Sequence, residues 1–145
     1  MIGAVLDANI LVSGILVPAG IPARILLAAF AGVFSCFASE VIVREVLTSL
    51  GRDRVRRRYR VDPARISQIQ QFLESDGILV PITVTVQGVA SHPEDDLILA
   101  TAVSAQADFL VTGDRQLLAL GQYDGVQIVT PRDFAAILGL PTSVQ

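Results

Sequence analysis

Short apolar runs alternate with helix-forming stretches that open on proline and close on glycine, and this rhythm constrains the fold more tightly than any other feature of the chain. Proline is tolerated in the first helical turn, where its missing amide has no intrahelical partner, and glycine readily takes the conformation that ends a helix. Five segments fit: residues 22–31 before Gly32, 39–50 before Gly51, 63–76 behind an Asp62 cap and before Gly77, 93–106, and 131–138 between a Thr130 cap and Gly139. Between them lie strand candidates at 2–6, 33–38, 78–84, 109–112 and 126–129. Several are apolar throughout, the mark of parallel strands covered on both faces. The pattern predicts a three-layer α/β/α sandwich with a central parallel sheet. One domain over residues 1–139 and a tail over 140–145 are expected, with only residues 90–93 and the tail looking loose.

A chain of 145 residues buries roughly 70% of its unfolded surface, enough for a sizeable core. Apolar residues make up 52% of it and charged ones 17%, a surplus that suits an interface as well as a core. The long uncharged stretches from Asp7 to Arg24 and from Arg24 to Glu40 fall short of the roughly 20 residues that span a bilayer. The N-terminus lacks a basic start and Asp7 interrupts its apolar run, unlike a secretory signal. A cytosolic protein with no membrane association is expected. The single cysteine, Cys36, lies in an apolar run and reads as core filling.

Net charge is −3, which argues against indiscriminate nucleic-acid binding, yet the charge is unevenly placed. All the basic residues are arginine, and seven fall between Arg52 and Arg65. The run Arg52, Arg54, Arg56, Arg57, Arg58, Tyr59, Arg60 fits a solvated helix face, an RNA contact in which arginine grips phosphate and Tyr59 stacks on a base, or a dock for an acidic protein segment.

Acids stand at four places in this alternation of elements. Asp7 closes the first strand, Glu45 lies in the second predicted helix, Asp95 and Asp96 open the fourth, and Asp114 follows Phe109-Leu-Val-Thr-Gly113. An open parallel sheet binds ligands beyond the carboxyl ends of its strands, so Asp7 and Asp114 would share one crevice. Each acid has a plainer reading. Asp7 and Asp114 would cap the helices that follow them. Glu45, five residues from Glu40 and so on another face of its helix, would be a surface residue. Glu94, Asp95 and Asp96 sit where a helix dipole favours acids. Together, though, the four suit one metal site. Carboxylates without His or Cys partners favour a hard cation, Mg²⁺ or Mn²⁺, over zinc, and such ions suit phosphodiester hydrolysis.

The order and spacing of these pieces resemble the PIN-domain nucleases, and especially the PIN toxins of VapBC-like toxin–antitoxin pairs, over nearly the whole chain. The matching pieces are Val-Leu-Asp7-Ala-Asn9-Ile-Leu-Val-Ser13, the Glu45 helix, Pro-Glu-Asp95-Asp96-Leu-Ile-Leu-Ala-Thr-Ala and Ala-Asp-Phe-Leu-Val-Thr112-Gly-Asp114. The resemblance implies a metal-dependent endoribonuclease, often a homodimer, with Asp7, Glu45, Asp95 and Asp114 in the four acidic places. Asp96 competes for the third, and the downstream Ala-Thr-Ala match favours Asp95. Asn9 and Thr112 fall at polar positions that support the acids.

Rival chemistries fare worse. The only histidine, His92, precedes Pro93 and reads as helix-entry punctuation rather than part of a nucleophilic triad. A phosphatase of the haloacid-dehalogenase kind would place a second Asp where Asn9 stands and usually needs a Lys, which the chain lacks. A non-catalytic PIN module and a DNA-directed nuclease remain alternatives, since none of these residues reads a 2′-hydroxyl.

Overall fold

The computed structural model describes residues 1–76 and 78–143, with the side chain of Asp76 left aside. The strands are β1 (Gly3–Leu6), β2 (Ser35–Ala38), β3 (Ile78–Leu79), β4 (Phe109–Val111), β5 (Gln122–Tyr123) and β6 (Val126–Val129). The helices are α1 (Ala8–Leu16), α2 (Ile21–Phe30), α3 (Glu40–Leu50), α4 (Asp53–Arg58), α5 (Pro63–Gln71), α6 (Pro93–Ser104), α7 (Arg115–Leu120) and α8 (Pro131–Leu138), with a π-helical turn at Phe72–Asp76. Together they form the expected α/β protein with its sheet between helices.

The sheet runs β3-β2-β1-β4-β6-β5. From β1 the chain winds outward through β2 and β3 on one side and through β4 and β6 on the other, so the order reverses between β1 and β4. That is the switch point at which open α/β sheets bind ligands. Every residue of β1 is buried, as a strand covered on both faces requires. At Gly3 a Cβ would meet the Phe37 ring at 2.6 Å, so any larger residue there would force that ring to move. Phe134 of α8, fully buried, packs edge-on against Phe34 at 5.1 Å and tilted against Phe109 at 5.7 Å, closing the far side of the core. Cys36 is buried, and burial pushes its thiol up to about 12, as an inert core residue requires.

Several expectations need correction. The strand predicted over 78–84 pairs only at Ile78–Leu79. Val80 makes a last backbone bond, its amide to the Ala38 carbonyl at 2.8 Å, and Pro81, with no amide to give, ends the ladder. Beyond it the chain is held to α6 by the Thr83 amide on Ser104 Oγ at 2.9 Å. The helix predicted over 63–76 widens into the π-helical turn after Gln71. Helix α1 enters the sequence reading only as the helix that Asp7 would cap, with no range of its own; it follows β1 directly and buries Ala8, Ile10, Leu11, Gly14 and Ile15. The sheet is not wholly parallel, since β5 and β6 form an antiparallel hairpin at one edge. Its loop, Asp124-Gly125, has φ of +47° and +85°, the two positive values that the tightest hairpin turn demands. The tail is not loose over its described part, for Arg24 Nη1 donates to the carbonyls of Pro141 at 3.0 Å and Ser143 at 2.7 Å. Among the described residues no single helix is long and apolar enough to cross a membrane.

Candidate active site

The carboxyl ends of β1 and β4 lie side by side, with Leu6 paired to Val111. The Asp7 amide donates to the Val111 carbonyl at 2.9 Å, extending the ladder one residue past β1. Asp7 therefore arrives at the switch point on rigid backbone, with only 6% of its surface exposed. It precedes α1 but makes no side-chain cap bond. Instead Thr112 Oγ1, fully buried, donates to Asp7 Oδ2 at 2.7 Å and accepts from the Asp114 amide at 3.0 Å. One hydroxyl thus ties the acids that end the two central strands. Asn9 stands exposed on α1 with no hydrogen bond to an acid among the described residues.

Asp114 does cap α7. Its Oδ1 accepts from the Gln116 amide at 2.8 Å and the Leu117 amide at 3.0 Å, so the plainer reading is correct for that oxygen. Oδ2 accepts no hydrogen bond among the described residues and is available to a ligand. Next to it, Gly113 is exposed, and a Cβ there would meet nothing within 4 Å.

The adjacent pair on α6 is divided. Asp96 is buried, and both its oxygens are spent: Oδ2 accepts from the Gly88 amide at 3.0 Å and Oδ1 from the Ala90 amide at 2.7 Å. The clip also ties down Ala90, the first residue of the segment 90–93 that looked loose in the sequence. Asp95 is half-buried. Burial and then the charges of Asp114 and Asp7 push its carboxyl up, while His92 pulls it down. The expectation that Asp96 is a metal ligand thus meets a carboxylate already committed to backbone amides. Asp96→Asn puts an amide nitrogen against one of those donors and is expected to cost about 1.5–3 kcal/mol, the worth of a charge-assisted bond. Amide exchange at Gly88 and Ala90 would rise sharply in that variant and stay slow in Asp95→Asn; equal exchange in both would sink the division of labour.

Glu45 is half-buried on α3, whereas Glu40 is exposed. Burial, then Asp7, Asp95 and Glu94, push its carboxyl up, and Arg52 opposes them. The position of α3 relative to α6 depends on a contact the sequence did not flag. Thr101 Oγ1 donates to the Leu97 carbonyl at 2.9 Å, which leaves buried Ser39 Oγ to donate to Thr101 Oγ1 at 2.9 Å. Only the Ala-Thr-Ala segment and a serine at a helix start hinted at it.

Burial is the first cause that raises the carboxyls of Asp7, Glu45 and Asp95; Asp114 adds to it at Asp7, Asp114 and Asp7 add to it at Asp95, and Asp7 and Asp95 add to it at Glu45. Asp7 feels burial most strongly, against the Thr112 hydroxyl and the Ala8 amide. Such a gathering is unfavourable without a cation, and its all-oxygen donors suit a hard one. Among the described residues no three acidic, His or Cys side chains are arranged to hold an ion by themselves. Magnesium tolerates this, since it keeps several waters and commonly takes only one or two protein carboxylates plus substrate phosphate. The donor set fits an incomplete, water-filled site rather than a closed cage.

The basic run is likewise laid out in space. All of its arginines are exposed, Tyr59 is half-buried, and the Arg58 guanidinium lies 5.7 Å from the centre of the Tyr59 ring. Arg52, the N-cap of α4, follows the helix that carries Glu45 and lowers that carboxyl, opposing the acids.

A doubly wound sheet with Asp7 and Asp114 beyond its two central strands puts two acids at the edge where open α/β sheets bind their ligands. The family model described as PIN domain matches residues 3–116, and the chain belongs to the PIN-domain family, whose members are generally nucleases. No curated protein matches the chain.

Proposed function

We propose that this protein is an endoribonuclease that hydrolyses RNA phosphodiester bonds with the help of Mg²⁺ or Mn²⁺, and that it serves as the VapC-like toxin of a toxin–antitoxin pair. The observation that supports the catalytic reading is the pair Asp7 and Asp114 at the switch point, tied by the Thr112 hydroxyl, with Asp7, Glu45 and Asp95 all raised by burial and by neighbouring acids. Asp7, Asp95 and Asp114 would hold the ion, and Asp96 would keep the neighbouring loop in place. When bound, a divalent ion lowers the pKa of water and neutralises charge on the phosphate and the departing oxygen. Thr112 fixes the orientation of Asp7 and the backbone at Asp114. Glu45, across the crevice on its own helix, would share the ion or orient the attacking water. Arg52 offsets part of the acids' repulsion toward an incoming phosphate and starts the basic track along which RNA, or an acidic antitoxin segment, would lie. The apolar surplus supports a homodimer, and the protein would act in the cytoplasm.

The test is cleavage of a mixed pool of labelled single-stranded RNA and DNA by purified protein with Mn²⁺, Mg²⁺ or EDTA, with Asp95→Asn alongside. RNA is expected to be cut only with metal and only by the wild type. Preference for DNA would overturn the substrate, and identical behaviour of wild type and variant would favour a binding module that does not cut.

A further inference from the structure

We propose that the groove framed by the end of α3, by α4 and by the start of α5 is a subsite for one unpaired nucleobase of a single-stranded RNA that continues into the acidic crevice. The inference rests on the ribonuclease reading above and adds to it the substrate's strandedness and a point of grip.

The groove has a volume of about 710 Å³, with Leu47, Leu50 and Ile66 among its apolar lining and Arg56, Tyr59 and Arg60 among its polar one. Its one carboxylate, Asp62, is engaged in capping α5 through the Ala64 amide at 2.9 Å, so the basic residues set the local charge. Arg52 and Tyr59 flank the six-residue helix α4, and Arg56 lies within it. The groove starts at Leu47 and Leu50 of α3, the helix that also carries Glu45, so a strand leaving the carboxylates along that helix would reach it. Continuity favours nucleic acid over a protein segment, which has no need to extend as far as Glu45.

The chemistry of the groove also selects the state of the base. A paired base shows neither face, because its neighbours cover both, and its edge is taken by its partner. An apolar floor beside an aromatic ring is filled only by a base drawn out of the stack. The Arg58 guanidinium near the Tyr59 ring holds that ring by a cation–π contact and brings charge toward the adjoining phosphate.

The test is binding of a short labelled oligoribonucleotide, single-stranded or in a duplex, to the full chain in EDTA, where no cleavage competes. Tyr59→Leu keeps apolar bulk and removes the aromatic face, and Tyr59→Phe keeps both. Tyr59→Leu is expected to weaken single-strand binding about tenfold or more, to leave duplex binding unchanged, and to be matched by an abasic substitution in the oligomer. Tyr59→Phe should bind as the wild type does. If Arg56→Ala weakens single strand and duplex alike while Tyr59→Leu weakens neither, the arm is a plain phosphate binder and the subsite is refuted. Tight binding of an acidic, leucine-rich peptide in place of RNA would likewise overturn it. Failure of the two readings is separable: RNA held through Tyr59 but never cut with Mn²⁺ removes the nuclease alone, and cutting with normal binding by the groove variants removes the subsite alone.

Discussion

Asp7→Asn is expected to abolish metal-dependent RNA cleavage, by about a thousandfold, while raising the melting temperature of the metal-free protein. The two effects have one cause. Asp7 is buried beside Asp114, and its one side-chain hydrogen bond, from Thr112, offsets only part of the cost of ionising it there. Asparagine keeps an oxygen for Thr112 and carries no charge to desolvate. The sign with pH follows. An acid raised in the folded state takes up its proton while the unfolded chain is still ionised, so the metal-free fold gains stability as pH falls from the raised value toward the ordinary 3.8, and bears the full cost above both. Glu45 and Asp95 act in the same direction. At neutral pH in EDTA the variant should melt higher by about 3 °C for each kcal/mol relieved. The gap should shrink toward pH 4, and also when Mn²⁺ is added, since an ion that binds only the folded wild type stabilises it. Thermal melts with and without metal at two pH values decide the matter: a variant that melts no higher than wild type in EDTA at neutral pH would remove the claim of a charge-strained centre.

Thr112→Val should be the most damaging substitution outside the acids. Valine matches threonine in shape but leaves the Asp114 amide and Asp7 Oδ2 without their shared partner in a fully buried place. An orphaned buried group costs about 1–3 kcal/mol. Loss of an orienting partner one step behind a metal ligand typically lowers metal affinity or activity about 10- to 100-fold. The expected signature is a higher Mn²⁺ concentration for half-maximal rate together with a lower melting point. Thr112→Ser, which keeps the hydroxyl, should restore the metal response even if the lost methyl keeps stability below that of the wild type. A metal response in Thr112→Val equal to that of wild type would reduce the residue to packing.

The fold was legible wherever local chemistry marks an element: the Thr130 and Asp62 caps, the left-handed Gly139 after α8 and the apolar β1 all stand where patterning put them. Two misses were readable and unread. Pro81 foretold the end of β3, and Asp124-Gly125 foretold the β5–β6 hairpin. Helix α1 carries a period of its own, with Ala8, Ile10, Leu11, Gly14 and Ile15 buried and the polar Asn9 and Ser13 on the less buried side, but it runs straight on from β1 with only Asp7 between them.

The site divides along the same line. By itself the sequence determined which acids stand at element boundaries, because a strand's end and a helix's start follow from residues within a few positions. It determined nothing about which carboxylate oxygens remain for a ligand. Asp95 and Asp96 are neighbours of one residue type in one helical turn, and only the return of the Gly88–Ala90 backbone commits Asp96 and spares Asp95. Asp7 is oriented by a hydroxyl 105 residues away, and α3 is coupled to α6 by Ser39 and Thr101 across 62. Hydrogen bonds at such separations exist only once the sheet has formed and water has been excluded, so tertiary structure alone decided them.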